Sequence, residues 1–171
     1  GVEKIAMSSL LLKDMDEVKE IIKRVGKQSV VAVLDIKKKT FGNKYEIYTH
    51  NGTKATGVEP VFFSKKLEEV GVGEIVINSI DQDGTMKGYD MKLIENIRDT
   101  ISIPLTVLGG AGSLDDIGEV IKEHGIIGVA AGSLFVFKGK FKAVLINYPT
   151  PDEKEALMGK YFKKIMTNEF I

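Results

Sequence analysis

Five times along this chain a short apolar run meets a polar or glycine-rich turn and gives way to a helical pattern. The runs fall at residues 4–7, 30–34, 74–80, 105–108 and 126–131. Runs of this kind, rich in Val, Ile and Leu, read as strands buried on both faces. Helical periodicity follows most of them. Val18, Ile21, Ile22 and Val25 share a face over 14–25, which Gly26 ends. Pro60 opens the next helix, with Phe62, Phe63, Leu67 and Val70 on its apolar side. Asp90 caps a helix carrying Leu93, Ile94, Ile97 and Ile101. Ser113 and Asp116 have capping-box spacing ahead of Ile117, Val120 and Ile121. Parallel strands need crossovers of this length, so the alternation predicts an α/β fold built on a parallel sheet.

Two segments interrupt the rhythm. Residues 45–52 alternate and close on Asn51-Gly52, a strong hairpin-turn signal. Residues 138–148 carry an apolar stretch, 143–146, that suits either a strand or a helix turn. A helix is expected over 153–167, with Leu157, Tyr161, Phe162, Ile165 and Met166 available for burial. The whole reads as one domain over residues 1–171, with a helical tail from about residue 138.

Composition excludes several classes. Lysine plus arginine and aspartate plus glutamate both number 24, so no strongly charged face for nucleic acid is expected. The absence of cysteine rules out disulfides and thiolate metal sites. No apolar run approaches the roughly 20 residues of a membrane span, and the N-terminus lacks signal-peptide character. A cytoplasmic protein is the expectation.

Polar and small residues gather just after the predicted strands: Asp35, Asp81, Asp83, Gly84, Gly109, Gly110, Gly132 and Ser133. Parallel α/β folds bind ligands at the carboxyl ends of their strands, so all should face one rim. Asp35, closing an apolar strand, is a candidate for proton transfer; a helix cap or a partner for Lys37 would explain it equally well. Two successive glycine-rich turns, 109–112 and 132–133, suit phosphate, although tight turns alone would also account for them. Asp81-Gln82-Asp83-Gly84 looks like the start of a calcium loop. It lacks the closing glutamate, which would fall near Lys92, so no metal is expected. His50 and His124 are expected on the solvated surface.

Several stretches carry a resemblance. Residues 30–37, Val-Val-Ala-Val-Leu-Asp-Ile-Lys, resemble the fifth-strand motif of the cyclase subunit family of imidazole glycerol phosphate synthase. Residues 73–90, through Ser79-Ile80-Asp81-Gln82-Asp83-Gly84-Thr85 and Gly88-Tyr89-Asp90, are similar to its sixth-strand signature. Gly109-Gly110-Ala111-Gly112 and Ala131-Gly132-Ser133-Leu134-Phe135 resemble the ends of strands seven and eight. The likeness runs from residue 1 to about 137. It implies the TIM-barrel (βα)8 family, here a partial barrel of about five units corresponding to strands four to eight.

The resemblance also implies a chemistry. Asp35 would be one of two aspartates acting as general acid and base. The reaction adds ammonia to a phosphoribulosyl-formimino aminoimidazole carboxamide ribonucleotide, closing imidazole glycerol phosphate and releasing an aminoimidazole carboxamide ribonucleotide. Asp83 would lie beside this bis-phosphorylated substrate. Gly84, Gly109, Gly110, Gly132 and Ser133 would hold one phosphate, and Ser8 and Ser9 would help hold the other. Glu3, Lys4 and Glu74 would line the ammonia entrance, facing a glutaminase partner. No cofactor is implied.

The chain departs from the family pattern in three ways. The first three units and their aspartate are absent, which leaves open sheet edges and implies a fragment, a truncated gene product or a piece that closes by self-association. Leu108 replaces a small polar residue, and Ser8 replaces an asparagine. Residues 144–149, Val-Leu-Ile-Asn-Tyr-Pro, resemble paralogues that accompany surface-polysaccharide genes and supply ammonia for sugar amidation.

Overall fold

The computed structural model describes residues 2–40, 42, 44–139, 141 and 143–168, with side chains at 138 and 162–168 outside the description. In chain order the elements are β1 (Ile5–Met7), α1 (Ser9–Lys13), α2 (Met15–Val25), β2 (Val30–Lys38), β3 (Tyr45–Thr49), β4 (Lys54–Ala55) and α3 (Pro60–Val70). There follow β5 (Glu74–Ser79), α4 (Met91–Arg98), β6 (Leu105–Leu108), α5 (Leu114–His124), β7 (Gly128–Val129), α6 (Ser133–Val136), β8 (Phe137–Lys138), β9 (Ala143–Val144) and α7 (Pro151–Asn168).

Strands β1, β2, β5, β6 and β7 lie side by side, parallel and in sequence order. The order never reverses. Right-handed crossovers therefore put every connecting helix on the same face of the sheet. Burial follows this asymmetry. Ile75 and Ile77 on β5 are buried with Leu105 and Val107 on β6, against the helices. Their alternates Glu74, Val76, Asn78, Thr106 and Leu108 stay half-exposed on the other face. The result is five staves of a (βα)8 barrel, not closed among the described residues.

Local chemistry explains the helix limits. Asp14 accepts from the Glu17 amide at 3.0 Å and starts α2, and Gly26, at φ 87°, ends it. Pro60 opens α3 after Glu59, whose carboxylate takes the amides of Val61 and Phe62. Asp90 caps α4, and the expected Ser113–Asp116 capping box is present on α5. Fully buried Val18, Leu34, Leu67, Ile75, Leu93 and Ile97 join the helices to the sheet. Each such side chain contributes roughly 1.5–3 kcal/mol by leaving water. Helix α7 docks on α5 where Gly118 leaves room for the Tyr161 ring, and Lys160 and Tyr161 both bind Asp115.

Several expectations need correction. Residues 30–34 were the expected strand, but β2 continues to Lys38 because β3 pairs antiparallel with residues 35–38. Asp35 is thus inside a strand and caps no helix. The strand expected over 126–131 shrinks to Gly128–Val129, since among the described residues only β6 pairs with it, and Ile126 is 84% exposed. Phe62 is 69% exposed, because the helix face that meets the sheet carries Phe63 and Leu67 instead. His50 is exposed as expected, but His124 is half-buried at the end of α5, and this burial lowers its pKa. Before α7, β8 and β9 pair antiparallel, Phe137 with Val144 and Lys138 with Ala143. Leu157 and Tyr161 are half-buried, while Phe162, Ile165 and Met166 have side chains outside the described residues.

Candidate functional site at the carboxyl rim

The open face of the sheet has a different chemistry at each end. At the carboxyl end, Asp35 on β2 stands in register with Asn78 on β5. Asn78 Nδ2 donates to Asp35 Oδ1 at 3.0 Å. The loop after β5 is tied back to the extended end of β2, where the Lys38 amide donates to Asp81 Oδ2 at 2.8 Å. Asp81 therefore holds the rim together. Lys37 lies over the Tyr48 ring and forms no salt bridge with Asp35.

Beside this pair, Asp83, Gly84, Gly109, Gly110, Ala111, Ala131, Gly132 and Ser133 enclose one small cavity. Residues from three loops, after β5, β6 and β7, thus converge as expected. The Gly88 amide donates to the Gly110 carbonyl at 2.9 Å, clasping two of the loops. Tyr89 Oη reaches the Ala130 carbonyl at 2.8 Å and secures the third. Burial, with the Asp116 carboxylate, raises the Tyr89 pKa, which keeps the phenol a donor.

The glycines in this cavity have different causes. Gly109 and Gly110 have φ of 97° and 113°. A Cβ on Gly110 would sit 2.1 Å from the Gly88 oxygen, and one on Gly109 2.7 Å from the Ser79 oxygen. Packing and backbone conformation therefore require both. Gly132 has φ −106°, and a Cβ there would meet nothing within 4 Å. Neither backbone nor packing explains it. The amides of Gly84, Gly110 and Gly132 donate to no backbone acceptor among the described residues. Backbone N–H groups left free in a concave turn suit an anion. Helix α5 adds little here, since Asp116 already takes the amides of Gly112 and Ser113.

Ser8 and Ser9 lie at the carboxyl end of β1, on the opposite side of Asp35 from the glycine cavity. Ser8 is half-buried and Ser9 exposed. Glu3, Lys4 and Glu74 lie at the amino end of the strands. Lys4 pairs with Glu74, which also accepts from Thr106 Oγ1 at 2.7 Å. Burial pushes the Glu74 carboxyl up, but the Lys4 ammonium and Thr106 hydroxyl pull harder and leave it below its ordinary value. Glu3 is exposed nearby. Among the described residues no His, Cys, Asp or Glu cluster could hold a metal. None of their helices is long and apolar enough to cross a membrane.

Sequence reading passes over Asn78. Its signal was a single amide inside an apolar strand, two residues on from Val76 and four from Glu74. Only the register between β2 and β5 brings it to Asp35.

A one-sided parallel sheet with its polar and glycine residues gathered at the carboxyl rim defines a protein of the (βα)8-barrel class. The chain belongs to the histidine biosynthesis protein family, whose model matches residues 1–142. A Leptospira borgpetersenii protein, provisionally named as an imidazole glycerol phosphate synthase subunit, is 54% identical over 157 residues. That match covers 92% of this chain and 62% of the relative. A Vibrio vulnificus protein with the same provisional naming is 49% identical over 155 residues, covering 91% of this chain and 60% of its own length. A Hyphomonas neptunium protein named imidazole glycerol phosphate synthase subunit without qualification is 37% identical over 137 residues, covering 80% and 54%. The chain thus spans about 60% of the first two relatives' length.

Proposed function

We propose that this chain carries the acid–base and phosphate-gripping part of an imidazole glycerol phosphate synthase cyclase. Ammonia adds to the phosphoribulosyl-formimino aminoimidazole carboxamide ribonucleotide, the imidazole ring closes, and an aminoimidazole carboxamide ribonucleotide leaves. Asp35 moves protons on and off the reacting nitrogen and carbon atoms. A second carboxylate, on a strand outside this chain, would take the complementary role. Asp83 lies beside the substrate, and Gly84, Gly109, Gly110, Gly132 and Ser133 grip one phosphate. Ser8 and Ser9, on the far side of Asp35, approach the other. A glutaminase delivers ammonia at the end marked by Glu3, Lys4 and Glu74.

The observation that supports this most is Gly132, a glycine that neither conformation nor packing demands, facing unpaired amides beside Asp35. The test is ammonia-driven turnover of the ribonucleotide, with the rest of the barrel supplied as a separate polypeptide. Asp35→Asn is expected to reduce turnover at least about 100-fold, the usual scale of a lost general acid–base group. Undiminished turnover in that variant would end the assignment.

A second reading is an ammonia-supplying paralogue for sugar amidation. The likeness of residues 144–149 to such paralogues favours it, and Leu108, half-exposed on the open face in register with Asn78, departs from the cyclase pattern. Rescue of a histidine auxotroph by the completed barrel would exclude this reading. Failure to rescue, with phosphate binding intact, would support it.

A further inference from the structure

Asp35 has one side-chain partner among the described residues, and that partner is unusual. Asn78 donates through Nδ2, while its Oδ1 is buried with no hydrogen-bond partner. An unpaired buried amide oxygen destabilises the fold. Leucine at this position would avoid that cost and would suit the apolar residues of the same face, Val76 and Leu108. The amide therefore serves Asp35 rather than the packing of the strand.

An asparagine presents a donor and an acceptor on one rotor. Facing an ionised Asp35, it must offer Nδ2. Facing a protonated Asp35, it can turn over and accept the carboxylic O–H at Oδ1. Gly109, just past β6, keeps a side chain away from the amide, since a Cβ there would stand 3.0 Å from Asn78 Oδ1. A group that alternates between base and acid needs a neighbour of this kind. Ser or Thr would reach less far, and Leu or Val would hold neither form.

We infer that Asn78 is the positioning residue of Asp35, orienting its carboxyl group in both protonation states by turning its amide. This deepens the reading proposed above, and only its kinetic arm rests on that reading.

The experiment has two arms. In the first, the Asn78 side-chain NH2 resonance is assigned by its loss in Asn78→Leu and followed in Asp35→Asn. It is expected to move in Asp35→Asn and to stay in place in the distant surface variant Asp115→Asn. A resonance unmoved in Asp35→Asn overturns the inference whatever the activity. In the second, Asn78→Leu is expected to lower kcat roughly 10- to 100-fold, the scale of a misaligned reacting group, with KM within about 3-fold. Asn78→Thr, whose hydroxyl both donates and accepts, should recover part of that loss at similar thermal stability. Equal impairment by Leu and Thr, or an unchanged kcat in Asn78→Leu, overturns it. If the resonance moves but the unsubstituted protein never turns over, the pairing stands and the cyclase assignment fails.

Discussion

Gly110 and Gly132 sit in one cavity for different physical reasons, so their alanine variants should part company. At Gly110 the φ of 113° is one that side chains rarely adopt, and a Cβ would collide with the Gly88 carbonyl at 2.1 Å. Such strain costs about 1–3 kcal/mol before the collision is counted. Gly110→Ala should therefore lower Tm by several degrees, roughly 2–4 °C per kcal/mol at this chain length. At Gly132 the backbone is ordinary and the space is open. Gly132→Ala should leave Tm unchanged within about 1 °C. Added inorganic phosphate should raise the Tm of the unsubstituted protein more than that of Gly132→Ala, because a methyl group beside the free Gly132 amide crowds an anion bound there. Calorimetry with and without phosphate checks both. A phosphate response undiminished in Gly132→Ala would show that the anion does not sit there.

At the level of elements, the Lys4–Glu74–Thr106 cluster joins β1, β5 and β6 across the amino end of the sheet. The Glu74 carboxyl has a folded pKa below the ordinary 4.5. A depressed carboxyl stabilises the fold fully above its unfolded pKa, and that stability is lost as pH falls through the folded value. Denaturation midpoints of the unsubstituted protein and Glu74→Gln should therefore differ most above about pH 5 and converge as the solution is acidified below 4.5. A gap that widens in acid would contradict this account. Elements of this kind were partly legible in the sequence. Leu105–Leu108, the Asp90 cap and the Ser113–Asp116 box depend on residues a few positions apart, and all stand where expected. The extension of β2 to Lys38 depends on pairing with β3, and the shortness of β7 depends on its single neighbour. Phe62 misleads because helical spacing alone does not fix which side faces the sheet. At the site, the rim residues follow from strand order alone. The Asp35–Asn78 bond needed the register between two strands 43 residues apart, which no local pattern encodes.

For the whole molecule, the open face of the sheet decides behaviour in solution. Among the described residues β1 pairs only with β2 and β7 only with β6, so two parallel edges offer free backbone groups. Exposed Ile5 and Ile126 flank those edges, and half-exposed Val33, Val76 and Leu108 run between them. The same face spans the distance from the Lys4–Glu74 pair to Asp35. Asn78 is four residue steps along β5 from Glu74, about 13 Å at the rise of a parallel strand. Whatever covers the face therefore also walls the route that ammonia would take in the function proposed above. We expect copies of the chain to cover it for one another when nothing else does, since long unpaired edges beside apolar surface drive association. Sedimentation velocity over a concentration series should show mass rising with concentration. Val76→Lys puts an ammonium at the centre of the face, between Val33 and Thr106 and away from the helices, so the fold should persist while association weakens. Ile77→Lys, aimed instead at the buried side, should fail to fold. An unsubstituted protein that stays monomeric at high concentration, or a Val76→Lys variant that associates as before, would mean that association through this face does not govern the chain in solution.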